Sequence, residues 1–429
     1  MFYPETIQFL YDLRLFGAKF GLENTLQLAA LAGNPQEQLR FIHVAGTNGK
    51  GSTCAMLESI YRAAGLRVAL FTSPHLVSFR ERIQVNRQLI GEAEVVRLVG
   101  ELRPLFAHFP DGHHPTFFEA VTVMALKFFA EQRCDLVIWE TGLGGRLDAT
   151  NIVTPLASVI TNIQFDHQQW LGDTLGKIAF EKAGIIKPGI PVVTATNEPE
   201  ALAVIEKTAQ EKRAPLARVR NSDFGVRNSE LRLLGGHQQL NAALALATVE
   251  ILQKQIPVAD IAIHAGLANV NWPGRLQLVS HPSGRKILLD GAHNPAGAKT
   301  LSETLQKNFP TERLTLILGV LEDKDWRHIC ETLAPRAARI FTVPVASERS
   351  ANSTELAAAC RRFNISTEVS VCRSLDDALN QSADDRFVII TGSLYLVGEA
   401  LELLGLSTAG ADERGLNEWT AGLSIPLAR

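Results

Sequence analysis

Short runs rich in β-branched residues alternate with helical segments along the first half of this chain of 429 residues. The strand-like runs are "RFIHVA" (40–45), "RVALFT" (67–72), "DLVIWE" (135–140), "ASVITNI" (157–163) and "PVVTAT" (191–196). Between them the apolar residues recur with helical spacing, as in "STCAMLESIYRAAG" and "FEAVTVMALKFFAEQ". Nearly continuous apolar strands separated by helices are typical of a parallel sheet with helices on both faces. The sequence therefore predicts an α/β fold with a mostly parallel sheet.

A second alternation follows a stretch rich in Pro and Gly, "NWPGRLQLVSHPSGR" (271–285). Its strand-like runs are "KILLDG", "RLTLILGV", "RIFTVPV" and "RFVIITGS". A chain of this length exceeds one typical core. We therefore predict an ATP-binding domain at 1–273 and a smaller α/β, Rossmann-like domain at 274–429. The tail after residue 405 has little periodicity, which predicts loose attachment.

Composition excludes several classes of function. A formal net charge of −3 and a pI near 6.4 argue against nucleic acid as the main partner. Five cysteines, odd in number and without a C-x-x-C pair, favour a reduced cytoplasm over a disulfide scaffold. The longest apolar stretch, "TFFEAVTVMALKFFA", is too short for a bilayer, and it contains Glu119 and Lys127. We expect a cytoplasmic monomer that acts on small molecules and has no membrane segment.

A glycine-rich loop, "AGTNGKGST" (45–53), directly follows the first strand. It departs from the usual P-loop pattern because Gly51 stands between Lys50 and the hydroxyl residue Ser52. A helix that starts near Ser52 would aim unpaired backbone N–H groups at the turn and form an anion site. Lys50 would place a positive charge over phosphates, and Ser52 or Thr53 would offer a hydroxyl to Mg²⁺. The alternative is a strand–turn–helix junction whose glycines serve geometry alone.

Two further strand ends carry polar side chains. Glu140 ends one buried strand, and Asp166 with His167 follows another. Ligands of open α/β sheets bind at this edge, so Glu140 is a candidate for a Mg²⁺ bound to ATP. The alternatives are a solvated strand-end carboxylate and a structural histidine.

Taken together, the ordered motifs resemble one enzyme family. They are "GTNGKGS", "TSPHL" (72–76), "FRERI" (79–83), "TFFE" (116–119), "ETGLGGRLDATN" (140–151), "DH" (166–167), "EKAGIIK" (181–187), "NWPGR" (271–275), "DGAHNP" (290–295), "DKD" (323–325) and "TGS" (391–393). This set resembles folylpolyglutamate synthase and the bifunctional dihydrofolate synthase of bacteria, members of the Mur ligase superfamily. The resemblance extends to about residue 400 and is poor over 214–235.

The resemblance implies a catalytic set and a metal site. The catalytic residues would be Lys50, Glu140, His167 and Lys182. Two Mg²⁺ ions would be held by Ser52, Ser73, Glu140, His167 and Lys182, the last as a carbamate. A monovalent cation is a further candidate cofactor.

Substrate positions also follow from the resemblance. ATP would contact Thr47, Asn48, Gly49, Lys50, Gly51, Ser52, Asn241, Arg275, Asp290 and His293, between the two domains. The pterin would contact Thr116, Phe117, Phe118, Glu119, Leu147, Asp148 and Ala149, and "KFGLEN" near the N-terminus is a weaker match. Helix capping for Asp290 and His293, and core packing for the two phenylalanines, are the structural alternatives.

The implied reaction joins L-glutamate to a folate through an acyl phosphate made with ATP. "SPHL" and "GLGGRLDATN" look like the bifunctional type, which also acts on dihydropteroate. One alternative is a cell-wall Mur ligase acting on a UDP-muramoyl substrate, which would need an additional N-terminal domain. The other is a non-catalytic, nucleotide-gated binding protein, which would not need Glu140 and His167 together.

Overall fold

A computed structural model describes residues 2–16, 21–110, 112–220, 231–280, 284–407 and 411–417. It contains two sheets, and the larger has eight strands in the order β4-β3-β2-β5-β1-β6-β7-β8. These strands are β1 (Phe41–Ala45), β2 (Val68–Phe71), β3 (Ile83–Val85), β4 (Gln88–Leu89), β5 (Leu136–Glu140), β6 (Ala157–Ile160), β7 (Val192–Thr194) and β8 (Leu216–Arg218). Neighbouring strands from β2 to β8 pair in parallel, whereas β3 and β4 form an antiparallel edge. The predicted mostly parallel sheet and its five strands are confirmed.

Helices cover both faces of this sheet. They are α1 (Tyr3–Asp12), α2 (Glu23–Leu31), α3 (Lys50–Ala63), α4 (Glu92–Leu102), α5 (Phe117–Glu131), α6 (Gln168–Leu171), α7 (Leu175–Ala183), α8 (Pro199–Glu211), α9 (Gly236–Leu252) and α10 (Asp260–Asn269). Phe41 of β1 belongs to one core with α1, α2, α4 and α5, while Ile42 belongs to another with α3, α9 and α10. Because successive strand side chains point to opposite faces, burial on both sides accounts for the continuous apolar runs.

The second sheet has six strands in the order β13-β12-β11-β14-β10-β9. They are β9 (Gln277–Ser280), β10 (Lys286–Leu289), β11 (Leu314–Leu318), β12 (Arg339–Thr342), β13 (Glu368–Val371) and β14 (Phe387–Thr391). Its helices are α11 (Pro295–Asn308), α12 (Trp326–Leu333), α13 (Ser353–Phe363), α14 (Leu375–Gln381) and α15 (Leu394–Leu403). All pairs are parallel except β9 with β10. Two mostly parallel sheets confirm the predicted fold class, and the boundary at 273/274 stays a prediction.

The prediction of a loosely attached tail is wrong for residues 411–417. These residues form a 3-10 helix, in which Leu416 is 2% exposed. So short an element has no readable periodicity, and its contacts are with distant parts of the chain. Residues 418–429 lie outside the described part.

Within the described part of the chain, no helix combines the length and apolar character needed to cross a bilayer.

Candidate active site

The glycine-rich loop joins β1 to α3 and is fixed by hydrogen bonds to the segment after β6. Thr47 N–H donates to the Asn162 carbonyl oxygen at 2.9 Å, and Asn48 N–H donates to Asn162 Oδ1 at 2.8 Å. The Thr161 hydroxyl donates to the Asn48 carbonyl oxygen at 2.7 Å. Hydrogen bonds within the chain therefore fix the shape of this loop at the N-terminus of α3, where anions bind in many proteins.

Helix α3 begins at Lys50, two residues before the predicted start, because Gly49 occupies the position before it with φ +85°. Only glycine adopts this conformation without strain. A Cβ at residue 49 would also lie 2.4 Å from Asn241 Oδ1. A Cβ at residue 51 would lie 2.9 Å from Cζ2 of Trp272. The glycine between Lys50 and Ser52 is thus explained by the closeness of the Trp272 ring.

Ser52 is connected to the nucleotide position predicted on α9. Its hydroxyl oxygen accepts from Gln238 Nε2 at 3.4 Å, and Gln238 Oε1 accepts from Asn241 Nδ2 at 2.9 Å. Lys50 Nζ donates to the Thr47 carbonyl oxygen at 3.3 Å, so the ammonium folds back over the loop. The structure therefore brings the predicted residues Lys50, Ser52 and Asn241 together.

Glu140, at the end of β5, belongs to the same group. Its carboxylate is 4% exposed and accepts from Ser73 N–H at 3.0 Å. Burial raises the pKa of Glu140, and the positive charge of Lys50 is the largest opposing influence. Ser73 and Glu140, predicted as metal ligands, are therefore in direct contact beside the phosphate loop.

His167 lies after β6 with φ +50°, a left-handed conformation that is uncommon for a non-glycine residue. Burial lowers its pKa to about 3, so the ring is neutral at pH 7. A neutral imidazole is the form that binds a metal.

The neighbouring Asp166 connects the two sheets' loops. Its carboxylate accepts from Lys324 Nζ at 2.7 Å and from Asn294 Nδ2 at 3.1 Å, both from the second sheet's side. Burial alone would raise the pKa of Asp166, but the neighbouring His293 and the nearby positive charges hold it well below its usual value. Asp166 is therefore an anionic junction between the two halves of the site.

The side chain of Lys182, on α7, contacts the backbone of the phosphate loop. Its Nζ donates to the Gly46 carbonyl oxygen at 2.9 Å, and the residue is 4% exposed. Burial, reinforced by the charge of Lys50, lowers the pKa of Lys182 to about 7. A substantial fraction of the amine is therefore neutral at pH 7, which is the form that reacts with CO₂.

Whether these side chains fit Mg²⁺ follows from their chemistry. In the part of the chain that the structure describes, no cluster of three His, Cys, Asp or Glu side chains could hold a metal. Mg²⁺ keeps several waters and is bound by one or two carboxylates plus substrate phosphates. Glu140, the serine hydroxyls and neutral His167 meet that need, and a carbamate on Lys182 would supply a second carboxylate. The chemistry of these side chains therefore fits Mg²⁺.

Three residues predicted to bind the nucleotide, Arg275, Asp290 and His293, lie on the side of the second sheet. They also interact with other residues of the chain. Asp290 accepts from Leu276 N–H at 2.9 Å and from Ala292 N–H at 3.0 Å. Burial lowers the pKa of Arg275, which the charge of Asp290 opposes most. His293 Nε2 lies 3.6 Å from Asp166 Oδ2. The structure therefore places His293 beside the segment after β6, while Asp290 holds the backbone before β9.

Most predicted pterin residues have partners within the chain. Thr116 caps α5 together with Glu119, and Phe117 packs in the core, its ring centroid 6.2 Å from that of Phe79. Asp148 accepts from Leu143 N–H at 2.7 Å and from Thr150 N–H at 3.0 Å. These contacts give the residues structural roles. For Phe117 this role is core packing, which was the structural alternative in the sequence analysis.

The remaining pterin positions differ in exposure. Phe118 and Leu147 are half-buried, whereas Ala149 is buried. Phe118 lies against Gly142, where a Cβ would come within 2.5 Å of its ring. Part of the weak "KFGLEN" match lies outside the described residues. Contact of this group with a pterin stays a prediction.

Sequence reasoning assigned no role to several residues that the structure brings to this site. They are Gln238, Trp272, Asn294 and Lys324. All but Gln238 lie inside motifs quoted above, so their position was visible in the sequence while their contacts were not.

Comparison with known families gives two matches. The Mur ligase middle domain matches residues 44–191, and the Mur ligase glutamate ligase domain matches residues 274–394. Together the two cover more than half of the chain.

Individual relatives match over nearly their whole length. A Bacillus subtilis protein named dihydrofolate synthase/folylpolyglutamate synthase is 37% identical, covering 92% of this chain and 98% of that protein. The crystal structure of folylpolyglutamate synthase from Thermotoga maritima superposes with a TM-score of 0.84 at 35% identity, covering 96% of this chain and 98% of that one. E. coli FolC, solved in complex with DHPP and ADP, gives a TM-score of 0.83 at 32% identity, covering 95% and 98%. This chain therefore belongs to the Mur ligase family, in its folylpolyglutamate synthase and dihydrofolate synthase branch.

Proposed function

We propose that this chain uses ATP to ligate L-glutamate to folates and also to dihydropteroate. The observation that carries the proposal is the position of the buried carboxylate of Glu140 within electrostatic range of Lys50, in the phosphate loop. Burial raises the pKa of Glu140, and Lys50 is the leading charge that counteracts this. A lysine and a buried carboxylate that lie near each other at the carboxyl edge of a parallel sheet suit phosphoryl transfer. The names of the relatives supply the substrate class.

The chemistry needs an activated acid, because a carboxylate is a poor acylating group in water. The folate carboxylate attacks the γ-phosphorus of ATP and releases ADP, leaving an acyl phosphate. The amine of glutamate then attacks the acyl carbon, and inorganic phosphate departs. Lys50 and the N-terminal N–H groups of α3 stabilise the negative charge on the transferred phosphoryl group.

Mg²⁺ is the cofactor that the proposal adds. Ser52, Ser73, Glu140, His167 and carbamylated Lys182 would hold two ions. When bound, the ions neutralise phosphate charge during transfer. The hydrogen bond from Ser73 N–H orients the Glu140 carboxylate, and burial keeps the His167 ring neutral. Both features favour binding of a metal ion by these two side chains.

We further propose how the substrates are distributed over the chain. Thr47, Asn48, Gly49, Gly51, Asn241, Arg275, Asp290 and His293 would line the nucleotide site between a domain of residues 1–273 and one of residues 274–429. The pterin would lie near Phe118 and Leu147, whose side chains are half-buried. A monomer in the cytoplasm is expected, and the five free cysteines accord with a reducing compartment.

The test measures glutamate incorporation with ATP and Mg²⁺, using tetrahydrofolate and dihydropteroate in separate reactions. Both should be extended, and Lys50→Ala should abolish extension, since a loop without its lysine loses a main source of transition-state charge stabilisation. Lys177→Ala is the matched control, because Lys177 is exposed at the surface, where it pairs with Asp173.

The outcomes separate the alternatives. Extension of tetrahydrofolate alone would remove the dihydropteroate half of the proposal. Amino-acid addition to a UDP-muramoyl substrate instead would identify a cell-wall ligase. Full ligation by Lys50→Ala would refute the role given to the loop.

A further inference from the structure

The C-terminal segment, residues 411–417, packs against the 73–82 loop, which connects β2 to β3. Glu413 Oε2 accepts from the Ser78 hydroxyl at 2.9 Å and from Phe79 N–H at 2.6 Å. The Glu413 carbonyl oxygen lies 2.9 Å from Nε2 of His75. Hydrogen bonds to an ionised acceptor are among the stronger ones in proteins. The segment therefore binds the loop by a charged contact as well as by packing.

Asn417 extends this contact to both ends of the loop. Its amide nitrogen donates to the His75 carbonyl oxygen at 2.9 Å, and its Oδ1 accepts from the Arg82 guanidinium at 2.5 Å. Arg82 Nε also donates to His75 Nδ1 at 2.9 Å. His75, Arg82 and Asn417 are all buried. Within a buried polar network, losing one partner leaves the others unsatisfied, which is costly.

The 73–82 loop contacts two regions: the phosphate-transfer site, and the start of α5 next to Phe118, where the pterin is proposed to lie. At its start, Ser73 N–H donates to Glu140, in the phosphate-transfer site. Farther on, Phe79 packs beside Phe117, and the Arg82 guanidinium lies 5.3 Å from the centroid of the same ring. A shift of this loop would therefore move groups of both regions together.

The C-terminal segment is itself anchored at two other places. Arg414 forms an ion pair with Glu402 on α15, and the Arg14 guanidinium donates to the Gly415 carbonyl oxygen. Helix α15 also approaches the loop closely, since a Cβ at Gly398 would lie 2.0 Å from the Leu76 carbonyl oxygen. The segment thus ties the loop to the second sheet's helix layer and to the N-terminal helical region.

We propose that Glu413 and Asn417 are positioning residues for the ligation reaction, acting through the 73–82 loop on Ser73, Glu140 and Phe117. This inference rests on the proposed function. Neither residue contacts the phosphate loop of residues 46–52 in the hydrogen bonds described above. Their loss should therefore slow the chemical step while leaving nucleotide affinity unchanged.

The first experiment compares Glu413→Ala, Glu413→Gln and Asn417→Ala with the wild type in the full chain. We expect Glu413→Ala and Asn417→Ala to lower kcat for glutamate addition about tenfold, the size expected for one charge-assisted hydrogen bond. The Kd for ADP, measured by calorimetry, should stay at the wild-type value. Glu413→Gln should recover most of kcat, because its amide oxygen still accepts from Ser78 and Phe79. Glu368→Gln is the control, since this exposed carboxylate lies on edge strand β13.

A second measurement follows hydrogen exchange in the peptide that covers residues 73–82. Exchange should be faster in Glu413→Ala than in the wild type and unchanged in Glu368→Gln. Wild-type kcat together with wild-type exchange in Glu413→Ala would overturn the inference. A loss of kcat matched by an equal loss of ADP-binding sites would also overturn it, because that pattern reports unfolded protein. If the wild type ligates no glutamate, the proposed function fails, and the exchange result alone decides whether Glu413 positions the loop.

Discussion

The ion pair between Lys324 and Asp166 leads to a quantitative prediction. Lys324 Nζ lies 2.7 Å from Asp166 Oδ1, and the two side chains are 7% and 9% exposed. Lys324 follows β11 of the second sheet, whereas Asp166 follows β6 of the first. The pair therefore joins the two halves of the active site out of reach of solvent screening.

Lys324→Met removes the cation and leaves the carboxylate buried. Breaking a buried pair by removing one partner costs about 3 to 5 kcal/mol in general. Asp166 keeps the Asn294 amide at 3.1 Å and the neighbouring His293, so the lower end applies. We expect the free energy of unfolding to fall by about 3 kcal/mol.

The assay is urea unfolding at pH 7 of Lys324→Met, Asp166→Asn and the double variant. Because the chain has two sheets with separate cores, each transition should be fitted separately. The double variant should lose less than the sum of the single losses, since removing both charges leaves none uncompensated. Lys286→Met is the matched control. Its partner Glu312 is 3.1 Å away at the surface, and such pairs contribute about 0 to 1 kcal/mol.

Two results would refute this reasoning. One is a loss in Lys324→Met no larger than that in Lys286→Met. The other is strict additivity in the double variant, which would show that the two charges stabilise the protein independently.

Two further predictions concern the first sheet. Gly51→Ala should weaken ADP binding, because its Cβ would lie 2.9 Å from the Trp272 ring and must displace either the ring or the loop. Gly100→Ala, in α4 with no atom within 4 Å of the new Cβ, is the control, and calorimetry that finds equal ADP affinity in both would contradict the steric argument. Burial lowers the pKa of His43 to about 3 from 6.5, so its contribution to stability is complete above pH 6.5 and is lost as the pH falls towards 3. His43→Gln should therefore reduce the pH dependence of the unfolding free energy over this range by up to about 1.4 kcal/mol per pH unit. Urea unfolding at pH 7 and at pH 5 measures this dependence. An equal change of the unfolding free energy between the two pH values in His43→Gln and in the wild type would refute the prediction.

Much of the fold could be predicted because its signals are local. Burial on both faces makes β1 and β5 continuously apolar, and that composition is readable without knowing which strands pair. The phosphate loop is likewise a local feature, in which glycines, a lysine and a helix start lie within nine residues. The resemblance carried by the motifs then predicted that Glu140, His167 and Lys182 act in one catalytic site. The helix start at Lys50 was missed by two residues, because it depends on the φ angle of Gly49.

The sequence by itself thus determined the alternation of elements, the two-sheet α/β class and the residue types of the candidate site. Tertiary structure alone decided which distant groups meet, as for Glu413 and Phe79, which are 334 residues apart in the chain. It also set the protonation states, since burial lowers the pKa of Lys182 to about 7 and that of His167 to about 3. The physical reason is range. Backbone propensity and hydrophobic periodicity act between near neighbours, whereas desolvation and charge interactions depend on every segment that packs around a group.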